Sequence, residues 1–216
     1  MSDNNYKTAL VTGATSGIGM ATAIKLSEAG IKVIATGRRL EKLKVLQSKI
    51  SCEILELDIR DQDKIYSSLE NLEIDILVNN AGVGKGFSPI FKTAPKDINT
   101  TTETNVTSFL HVLRAIVPGM VKRKRGHIIN IGSIAGLYPM ASSVYGGSKG
   151  AVHLINQNLR LELSGTGVRA TEICPGRVET EFFDVAFSDN PEKKKEMTSG
   201  LTLLTKEDIA DAIMFA

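Results

Sequence analysis

Tyr145 and Lys149 are the two side chains of this sequence whose types and spacing best suit acid–base chemistry. They lie four residues apart in a segment of helical periodicity, which places both on one helix face. A free tyrosine has a pKa of about 10 and exchanges protons poorly at neutral pH. A neighbouring ammonium group stabilises the phenolate and lowers that pKa toward the working range. The pair therefore predicts a tyrosine that acts as acid and base, although Tyr-x3-Lys also occurs by chance in many helices.

A glycine-rich turn follows the first apolar run of the chain and spans Thr12–Gly19. Glycines at this spacing allow a tight turn and close approach of the backbone to a pyrophosphate, which would lie on the amino terminus of the next helix. No Gly-Lys-Ser or Gly-Lys-Thr follows, which argues against a P-loop kinase or GTPase. The turn predicts a dinucleotide site. Its predicted cofactor-binding residues are Gly13, Thr15, Ser16, Gly17, Ile18 and Gly19.

The second apolar run ends in Ala35–Arg39, where Arg38 and Arg39 stand in place of an acidic residue. An NAD enzyme would have a carboxylate here to bind the ribose 2′-hydroxyl. Two guanidinium groups suit a 2′-phosphate instead, because arginine binds phosphate through paired, charged hydrogen bonds. The alternative is that one of the two is a surface residue that opens the next helix. The pattern favours NADP(H) as the cofactor.

The elements that must position these residues alternate regularly along the chain. Most of the short runs are rich in Val, Ile and Leu without alternation, as in strands that are covered on both faces. The candidate strands are Thr8–Thr12, Lys32–Thr36, Glu53–Leu57, Ile74–Val78, His127–Ile131 and Val168–Ile173. The candidate helices are Met20–Ala29, Leu40–Lys49, Gln62–Leu72, Asn105–Lys124 and Ser148–Leu163. This repetition predicts an α/β protein with a Rossmann-type, doubly wound parallel sheet, helices on both faces and a single domain.

Composition sets the limits of the function. The 216 residues fit one domain, and 42% apolar with 23% charged residues is ordinary for a globular protein. A net charge of +2 argues against nucleic acid as the main partner. Cys52 and Cys174 are too few for a secreted disulfide framework. The polar amino terminus shows no signal peptide, and the apolar stretch Phe109–Val121 is too short to span a membrane. We expect a cytoplasmic protein.

Other enzyme classes fit the sequence less well. Ser133 follows the fifth candidate strand, at the sheet edge where open α/β sheets bind ligands, but it lacks the central position of a hydrolase Gly-x-Ser-x-Gly elbow. His111, His127 and His153 are far apart in sequence and have no cysteine cluster, so we predict no metal site. A catalytically silent NADP(H) sensor on the same fold stays an alternative, because a fold alone does not establish activity.

With these residues assembled, the sequence resembles the short-chain dehydrogenase/reductase family from Lys7 to Ala216. The motifs that carry the resemblance are Thr12–Gly19, Asp58, Asn79–Gly82, Asn105, Ser133, Tyr145 with Lys149, and Pro175–Thr180. Within the family it is most similar to the NADP-dependent 3-hydroxy acid (serine) dehydrogenases. The stretches that match this subgroup are Ala35–Arg39, Pro118–Met120, Gly126–Gly132 and Val178–Phe182.

The resemblance implies a role for each of four catalytic residues. Tyr145 would exchange a proton with the alcohol or carbonyl oxygen, and Ser133 would form a hydrogen bond to the same oxygen. Lys149 would bind the nicotinamide ribose and lower the pKa of Tyr145. Asn105 would hold a water molecule that links Lys149 to solvent. The further cofactor contacts that it implies are Asp58, Ile59, Asn80, Ala81, Gly82, Pro175, Gly176, Val178 and Thr180.

The resemblance also implies the reaction and the assembly. The expected activity is hydride transfer between NADP(H) and a small alcohol or carbonyl compound, such as a 3-hydroxy acid like serine. A sugar, an acyl thioester or a small aldehyde is the alternative substrate class. We expect a homodimer or homotetramer formed through Asn105–Lys124 and Ser148–Leu163. Relatives usually continue into a seventh strand, so the single domain of residues 1–216 is expected to lack the family's last strand.

The substrate pocket is less well defined by the sequence. A 3-hydroxy acid needs a cation or several amide donors for its carboxylate, and Arg177 is the nearest candidate in sequence. The alternative is that Arg177 is a surface residue or braces the loop that covers the site. Aromatic residues make up 5% of the chain and there is no tryptophan, which weakly disfavours a pocket for flat, bulky ligands.

Overall fold

The computed structural model describes residues 6–188, 191–200 and 202–216. Within these ranges six parallel strands form one sheet in the order β3-β2-β1-β4-β5-β6. The strands are β1 (Thr8–Val11), β2 (Lys32–Gly37), β3 (Cys52–Glu56), β4 (Ile76–Asn79), β5 (Gly126–Ile131) and β6 (Val168–Ile173). All six lie at or within two residues of the predicted runs, and the predicted doubly wound parallel sheet is confirmed.

Helices connect the strands and cover both faces of the sheet. They are α1 (Gly17–Glu28), α2 (Leu40–Gln47), α3 (Gln62–Leu69), α4 (Pro95–Thr102), α5 (Ser108–Arg123), α6 (Ser143–Glu162), α7 (Phe182–Ala186), α8 (Pro191–Thr198) and α9 (Lys206–Phe215). Short 3₁₀ turns lie at Ile90–Lys92 and Ile134–Gly136. No helix in the described ranges is both long and apolar enough to cross a membrane.

Two apolar cores lie on opposite sides of the sheet. On one side α3, α5 and α6 pack on it through residues such as Ile65, Ile116 and Val152, all of which are buried. On the other side α1, α2 and α9 contribute residues such as Leu26 and Ile213. Burial of both sheet faces explains why the strands contain almost continuous apolar runs.

Several predicted helix boundaries are wrong, and α3, for example, ends at Leu69 instead of Leu72. Helix α1 begins at Gly17 instead of Met20, and α6 begins at Ser143 instead of Ser148. In both cases glycines of low helix propensity occupy the first turns, where tertiary packing outweighs intrinsic preference. The predicted helix Asn105–Lys124 is divided, because Glu103–Thr107 forms a π-helical turn that precedes α5. The start of α6 matters for the site, since it brings Tyr145 inside the helix.

The strand order reverses between β1 and β4, which are neighbours in the sheet. Helices leave these two strands on opposite faces, so a crevice opens beyond their carboxyl ends. The chain segments that follow β1, β4, β5 and β6 all lead into this crevice, and they contain the predicted motifs.

Candidate active site

A cleft of about 940 Å³ lies at the carboxyl ends of the strands. It contains nearly all of the predicted site residues. Those that line it are Gly13, Thr15, Ser16, Gly17, Ile18, Arg38, Arg39, Asp58, Ile59, Asn80, Ala81, Gly82, Ser133, Tyr145, Lys149, Pro175, Gly176, Val178 and Thr180. Gly19 and Asn105 are predicted site residues that do not line the cleft. Gly19 packs against the glycine-rich turn, and Asn105 forms hydrogen bonds to the loop after β4 and to α6.

The glycine-rich turn is a compact support for the start of α1. Gly13 has a φ of 68° and Gly17 has a φ of 53°, both in the left-handed region that favours glycine. Gly19 lies against the backbone of Gly13, and a Cβ atom there would collide with the Gly13 carbonyl oxygen. Gly19 thus packs the helix onto the turn and does not line the cleft.

Thr12 and Asn80 join the glycine-rich turn to the end of β4. Thr12 is fully buried, and its Oγ1 accepts hydrogen bonds from the backbone N–H groups of Asn80 and Ala81, each at 3.0 Å. Asn80 Nδ2 donates to the Thr12 carbonyl oxygen at 2.8 Å. Thr12 was not a predicted site residue. Its position at the end of a buried apolar strand was the available indication that its hydroxyl needs a partner.

Arg39 is held at the edge of the cleft beside the glycine-rich turn. Its Nη2 donates to Thr15 Oγ1 at 2.9 Å and to Ser16 Oγ at 2.8 Å. Its Nη1 pairs with Glu181 Oε2 at 2.7 Å. The contact with Arg39, together with Lys42, holds the pKa of the Glu181 carboxyl below its usual value. The guanidinium predicted to bind a 2′-phosphate is therefore already placed against an anion.

Asp58 is held between two arginines on the same side of the cleft. Arg60 Nη2 donates to its Oδ2 at 2.6 Å, and Arg38 Nη1 lies 3.9 Å from the same oxygen. The Arg60 hydrogen bond lowers the pKa of the Asp58 carboxyl. Of the two predicted arginines, Arg39 contacts the side chains of the glycine-rich turn, whereas Arg38 contacts Asp58.

Tyr145 lies at the inner end of the cleft and is 7% exposed. Burial raises its pKa to about 12, against a hydrogen bond with the Ser133 side chain that lowers it. Ser133 Oγ also accepts the backbone N–H of Ala135 at 3.1 Å, which fixes the serine at the start of a 3₁₀ turn. The two hydroxyls predicted to share one substrate oxygen thus face each other.

Lys149 lies one turn after Tyr145 on α6 and is 8% exposed. Its Nζ donates to the Ile131 carbonyl oxygen at 2.7 Å, and burial lowers its pKa to about 8. Lys149 and Tyr145 are four residues apart in the same helix. The lowering of the Tyr145 pKa by this lysine stays a prediction.

Asn105 lies in the π-helical turn before α5 and is 2% exposed. Its Oδ1 accepts from Val83 N at 2.8 Å, while its Nδ2 donates to Val83 O at 2.9 Å and to Ser148 Oγ at 3.0 Å. A Cβ atom on Gly82 would lie 3.3 Å from Asn105 Oδ1 and 3.8 Å from Lys149 Nζ. Asn105 thus fixes the loop after β4 beside Lys149.

An aromatic cluster covers Tyr145 and was not predicted from the sequence. Its buried members are Phe87, Tyr145, Phe183 and Phe187, and Phe182 packs against them. The Phe87 ring stacks on the Tyr145 ring with centroids 4.8 Å apart, and the Phe182 centroid lies 5.5 Å from that of Tyr145. Low aromatic content was therefore a poor guide to the pocket, because the few aromatic residues concentrate at this place.

Arg177 follows Gly176 and lines the cleft, as predicted for a residue near the substrate. It is exposed, and no acidic partner is found for it among the described residues. The other cleft-lining arginines, Arg38, Arg39 and Arg60, all pair with Asp58 or Glu181. Arg177 is thus the guanidinium group available to a small anion.

His153, Glu172 and Cys174 come together behind the catalytic residues. One ligand-type atom from each lies within 4.8 Å of the others. The sequence separates these residues, but the packing of α6 on β6 brings His153 to Glu172 and Cys174. A cation at this point would face the buried Lys149, and we assign no metal ion to the cluster.

The family model of the short chain dehydrogenases matches residues 7–191 of the chain. An NADP-dependent 3-hydroxy acid dehydrogenase of Salmonella typhi is 45% identical over 213 residues, which cover 94% of this chain and 86% of that protein. A serine 3-dehydrogenase of Agrobacterium fabrum is 40% identical over 214 residues, which cover 95% of this chain and 86% of that protein.

Solved structures agree with these relatives. The closed form of a serine dehydrogenase complexed with NADP⁺ superposes with a TM-score of 0.92 at 42% identity and covers 96% of this chain and 88% of that chain. Serine dehydrogenase from Escherichia coli superposes with a TM-score of 0.82 at 40% identity and covers 96% of this chain and 89% of that one. The predicted family is confirmed: the chain belongs to the short-chain dehydrogenases.

Proposed function

We propose that this protein is an NADP(H)-dependent oxidoreductase that transfers a hydride between the nicotinamide and a small hydroxy acid or its carbonyl counterpart. The single observation that carries the proposal is the Tyr145–Ser133 hydroxyl pair at the inner end of the cleft, with Lys149 one helical turn away. Relatives named as NADP-dependent 3-hydroxy acid and serine dehydrogenases support the cofactor and the substrate class.

The residues of the cleft fit a phosphorylated dinucleotide. The backbone of Gly13 and Gly17 can approach a pyrophosphate closely, at the amino terminus of α1. Arg39 presents a guanidinium beside Thr15 and Ser16, where two hydroxyls and the arginine suit a 2′-phosphate. The remaining predicted contacts would lie along the rest of the cofactor, and they are Asp58, Ile59, Asn80, Ala81, Gly82, Pro175, Gly176, Val178 and Thr180.

When bound, the cofactor would accept or supply the hydride, and the chain would handle the proton. Tyr145 would take the proton of the substrate hydroxyl during oxidation and return it during reduction. Ser133 would donate a hydrogen bond to the same oxygen, whose negative charge grows as the proton leaves. Lys149, brought near by the helix, would stabilise the tyrosine as a phenolate. Asn105 would keep the Val83 loop in place beside Lys149.

The substrate would be a small 3-hydroxy acid whose carboxylate binds Arg177. Arg177 supports this assignment because it lines the cleft without an acidic partner among the described side chains. The aromatic cluster supports a second candidate, which is a carbonyl compound with an apolar substituent. Phe87 and Phe182 flank the Tyr145 ring, so such a substituent would rest on their faces.

Steady-state kinetics with both cofactors tests the oxidoreductase proposal. We expect NADP⁺ to be used with a much higher kcat/KM than NAD⁺. Replacing Arg38 and Arg39 together with alanine should raise the KM for NADP⁺ about 10- to 100-fold, since charged hydrogen bonds contribute about 1.5–3 kcal/mol. Lys49→Ala, at an exposed lysine after α2, is the matched control and should leave the KM for NADP⁺ and the KM for NAD⁺ unchanged. Equal use of both cofactors by the unmodified protein would contradict the proposal.

A substrate panel separates the two candidate classes. Serine and related 3-hydroxy acids would be compared with sugars, small aldehydes, acyl thioesters and aromatic ketones, all at saturating cofactor. Faster turnover of the small acids supports the carboxylate site at Arg177. Faster turnover of aromatic ketones favours the apolar candidate. No turnover of any compound would favour the silent NADP(H) sensor.

A cytoplasmic location and a homo-oligomeric state stay predictions.

A further inference from the structure

Glu172 is a buried carboxylate that the reaction described above does not use. It lies on β6, and its side chain is 7% exposed. The carboxylate packs so closely on Gly132 that a Cβ atom at Gly132 would collide with Glu172 Oε1. Gly132 directly precedes Ser133, so a fixed negative group lies immediately behind the catalytic end of β5.

Helix α6 fixes this carboxylate from the side that carries Lys149. His153, one turn after Lys149, has its Nδ1 2.7 Å from Glu172 Oε2. Gln157, a further turn on, places its Nε2 2.7 Å from His153 Nε2. Lys149, His153 and Gln157 lie on one face of α6 at spacings of four residues. Helix α6 packs on β6. The histidine therefore orients the carboxylate, and the glutamine orients the histidine.

Lys149 Nζ donates to the carbonyl oxygen of Ile131, and Glu172 packs on the next residue, Gly132, so the two groups lie against adjacent residues of the chain. The carboxylate opposes the effect of burial on Lys149. Burial lowers the pKa of Lys149 to about 8, and the charge of Glu172 acts in the opposite direction. Cys174, which follows β6, is the other group that raises the pKa of Lys149, and burial together with Glu172 raises the pKa of this thiol to about 11. A thiol with that pKa is neutral at physiological pH, so Glu172 is the charged partner. Tyr145 is the titratable group that faces Lys149 from its own helix.

We propose that Glu172 is a positioning residue whose buried carboxylate, oriented by His153, keeps Lys149 in its ammonium form beside Tyr145. The inference rests on the roles of Lys149 and Tyr145 in the proposed function. It assigns to the strand β6 an electrostatic part in the reaction. A neutral lysine amine would stabilise a phenolate much less than an ammonium group does, so loss of the Glu172 charge would weaken proton transfer without removing any group that contacts substrate.

A direct test follows the protonation of Lys149 by NMR in protein labelled with ¹³C at lysine Cε. The resonance that disappears in Lys149→Met identifies the residue. Glu172→Gln keeps the shape and removes the charge, and we expect the titration midpoint of Lys149 to fall by about one pH unit, the lower end of the usual effect of a nearby opposite charge. Glu172→Asp keeps the charge, and its shift should be less than half as large. Glu162→Gln, at the exposed end of α6, should leave the midpoint unchanged.

An unchanged midpoint in Glu172→Gln would overturn the proposal. If that variant fails to fold, which thermal unfolding would reveal, Glu172→Asp still has to lower the midpoint by a measurable amount. The NMR readout needs no turnover, so it stands even if Tyr145 is shown not to be the acid–base group. As a second readout, the alkaline limit of kcat/KM for alcohol oxidation should move to lower pH in Glu172→Gln. If the titration midpoint of Lys149 falls but the pH profile of kcat/KM does not move, the proposed role of Glu172 in the reaction is contradicted.

Discussion

Arg39 and Glu181 form an ion pair at the edge of the cofactor cleft, with Arg39 Nη1 and Glu181 Oε2 2.7 Å apart. Arg39 follows β2, whereas Glu181 immediately precedes α7, so the pair joins segments far apart in sequence. Lys42 Nζ lies 3.3 Å from the other oxygen of the same carboxylate. Arg39 thus contacts a side-chain carboxylate, and a cofactor 2′-phosphate would have to share the guanidinium with it.

Replacing Glu181 with glutamine should therefore tighten the binding of NADP(H). The substitution removes a carboxylate that lies against Arg39 and would repel a 2′-phosphate there. We expect the Kd for NADPH, measured by fluorescence titration, to fall several-fold while the Kd for NADH stays unchanged. Glu179→Gln, at an exposed neighbour, is the control. Weaker NADPH binding in Glu181→Gln would mean that Glu181 orients Arg39 instead of competing for it.

Arg177→Gln should raise the KM for small hydroxy acids. The substitution removes the guanidinium proposed to bind the substrate carboxylate and leaves a shorter, neutral polar side chain. A lost charged hydrogen bond predicts an increase of about 10-fold or more, with little change in kcat. The KM for a neutral alcohol of similar size should not change. Equal effects on the acid and the alcohol would show that Arg177 supports the loop and does not bind the carboxylate.

Thr12→Val should destabilise the protein and weaken its binding of NADPH. It removes the oxygen that accepts the N–H groups of Asn80 and Ala81, and unsatisfied buried polar groups cost about 1–3 kcal/mol. Thr22→Val is the matched control, because Thr22 Oγ1 is buried and has no hydrogen-bond partner among the described residues. We expect urea unfolding to show a lower free energy of unfolding for Thr12→Val and an unchanged one for Thr22→Val. Similar losses would mean that volume changes dominate.

The outer faces of α5 and α6 should form a subunit interface with a second copy of the chain. Leu110 is 43% exposed, Leu154 is 57% exposed and Leu161 is 76% exposed, and all three lie on these two helices. Light scattering should give the mass of a dimer or tetramer, and Leu154→Glu should shift it toward the monomer. Val45→Glu, at a comparably exposed residue of α2, should not. A monomeric wild-type protein at micromolar concentration would contradict this prediction.

The strands could be predicted from the sequence because the two covered sheet faces require apolar runs. The cofactor and proton-transfer parts of the cleft could also be predicted, because the glycine-rich turn and the Tyr145–Lys149 spacing are local patterns with a direct structural meaning. The start of α6 could not be predicted locally, because Gly146 and Gly147 each disfavour helix by about 1 kcal/mol. Gly146 packs under the 3₁₀ turn after Ser133, where a Cβ atom would lie 3.3 Å from the Ala135 carbonyl oxygen.

Features that depend on distant segments escaped the sequence analysis. Phe87 lies in the loop after β4 and Phe182 begins α7, far away in the chain, and neither has a neighbouring motif that places it over Tyr145. Glu172 gave a stronger indication, because it is a single carboxylate in a predicted strand, and a carboxylate that is buried needs a compensating partner. The partner, His153, lies on another element, so only the packing of α6 on β6 identifies it.

The central claim is that Tyr145 exchanges the proton in an NADP(H)-dependent reaction, and Tyr145→Phe tests it most directly. The variant keeps the ring that stacks on Phe87 but has no transferable proton. Turnover of the best substrate would be measured beside NADPH affinity in the same preparation. We predict a loss of turnover of about 10²- to 10⁴-fold, the usual contribution of general acid–base catalysis, with NADPH binding unchanged. A variant that binds NADPH and retains more than about a tenth of wild-type turnover would contradict the assignment.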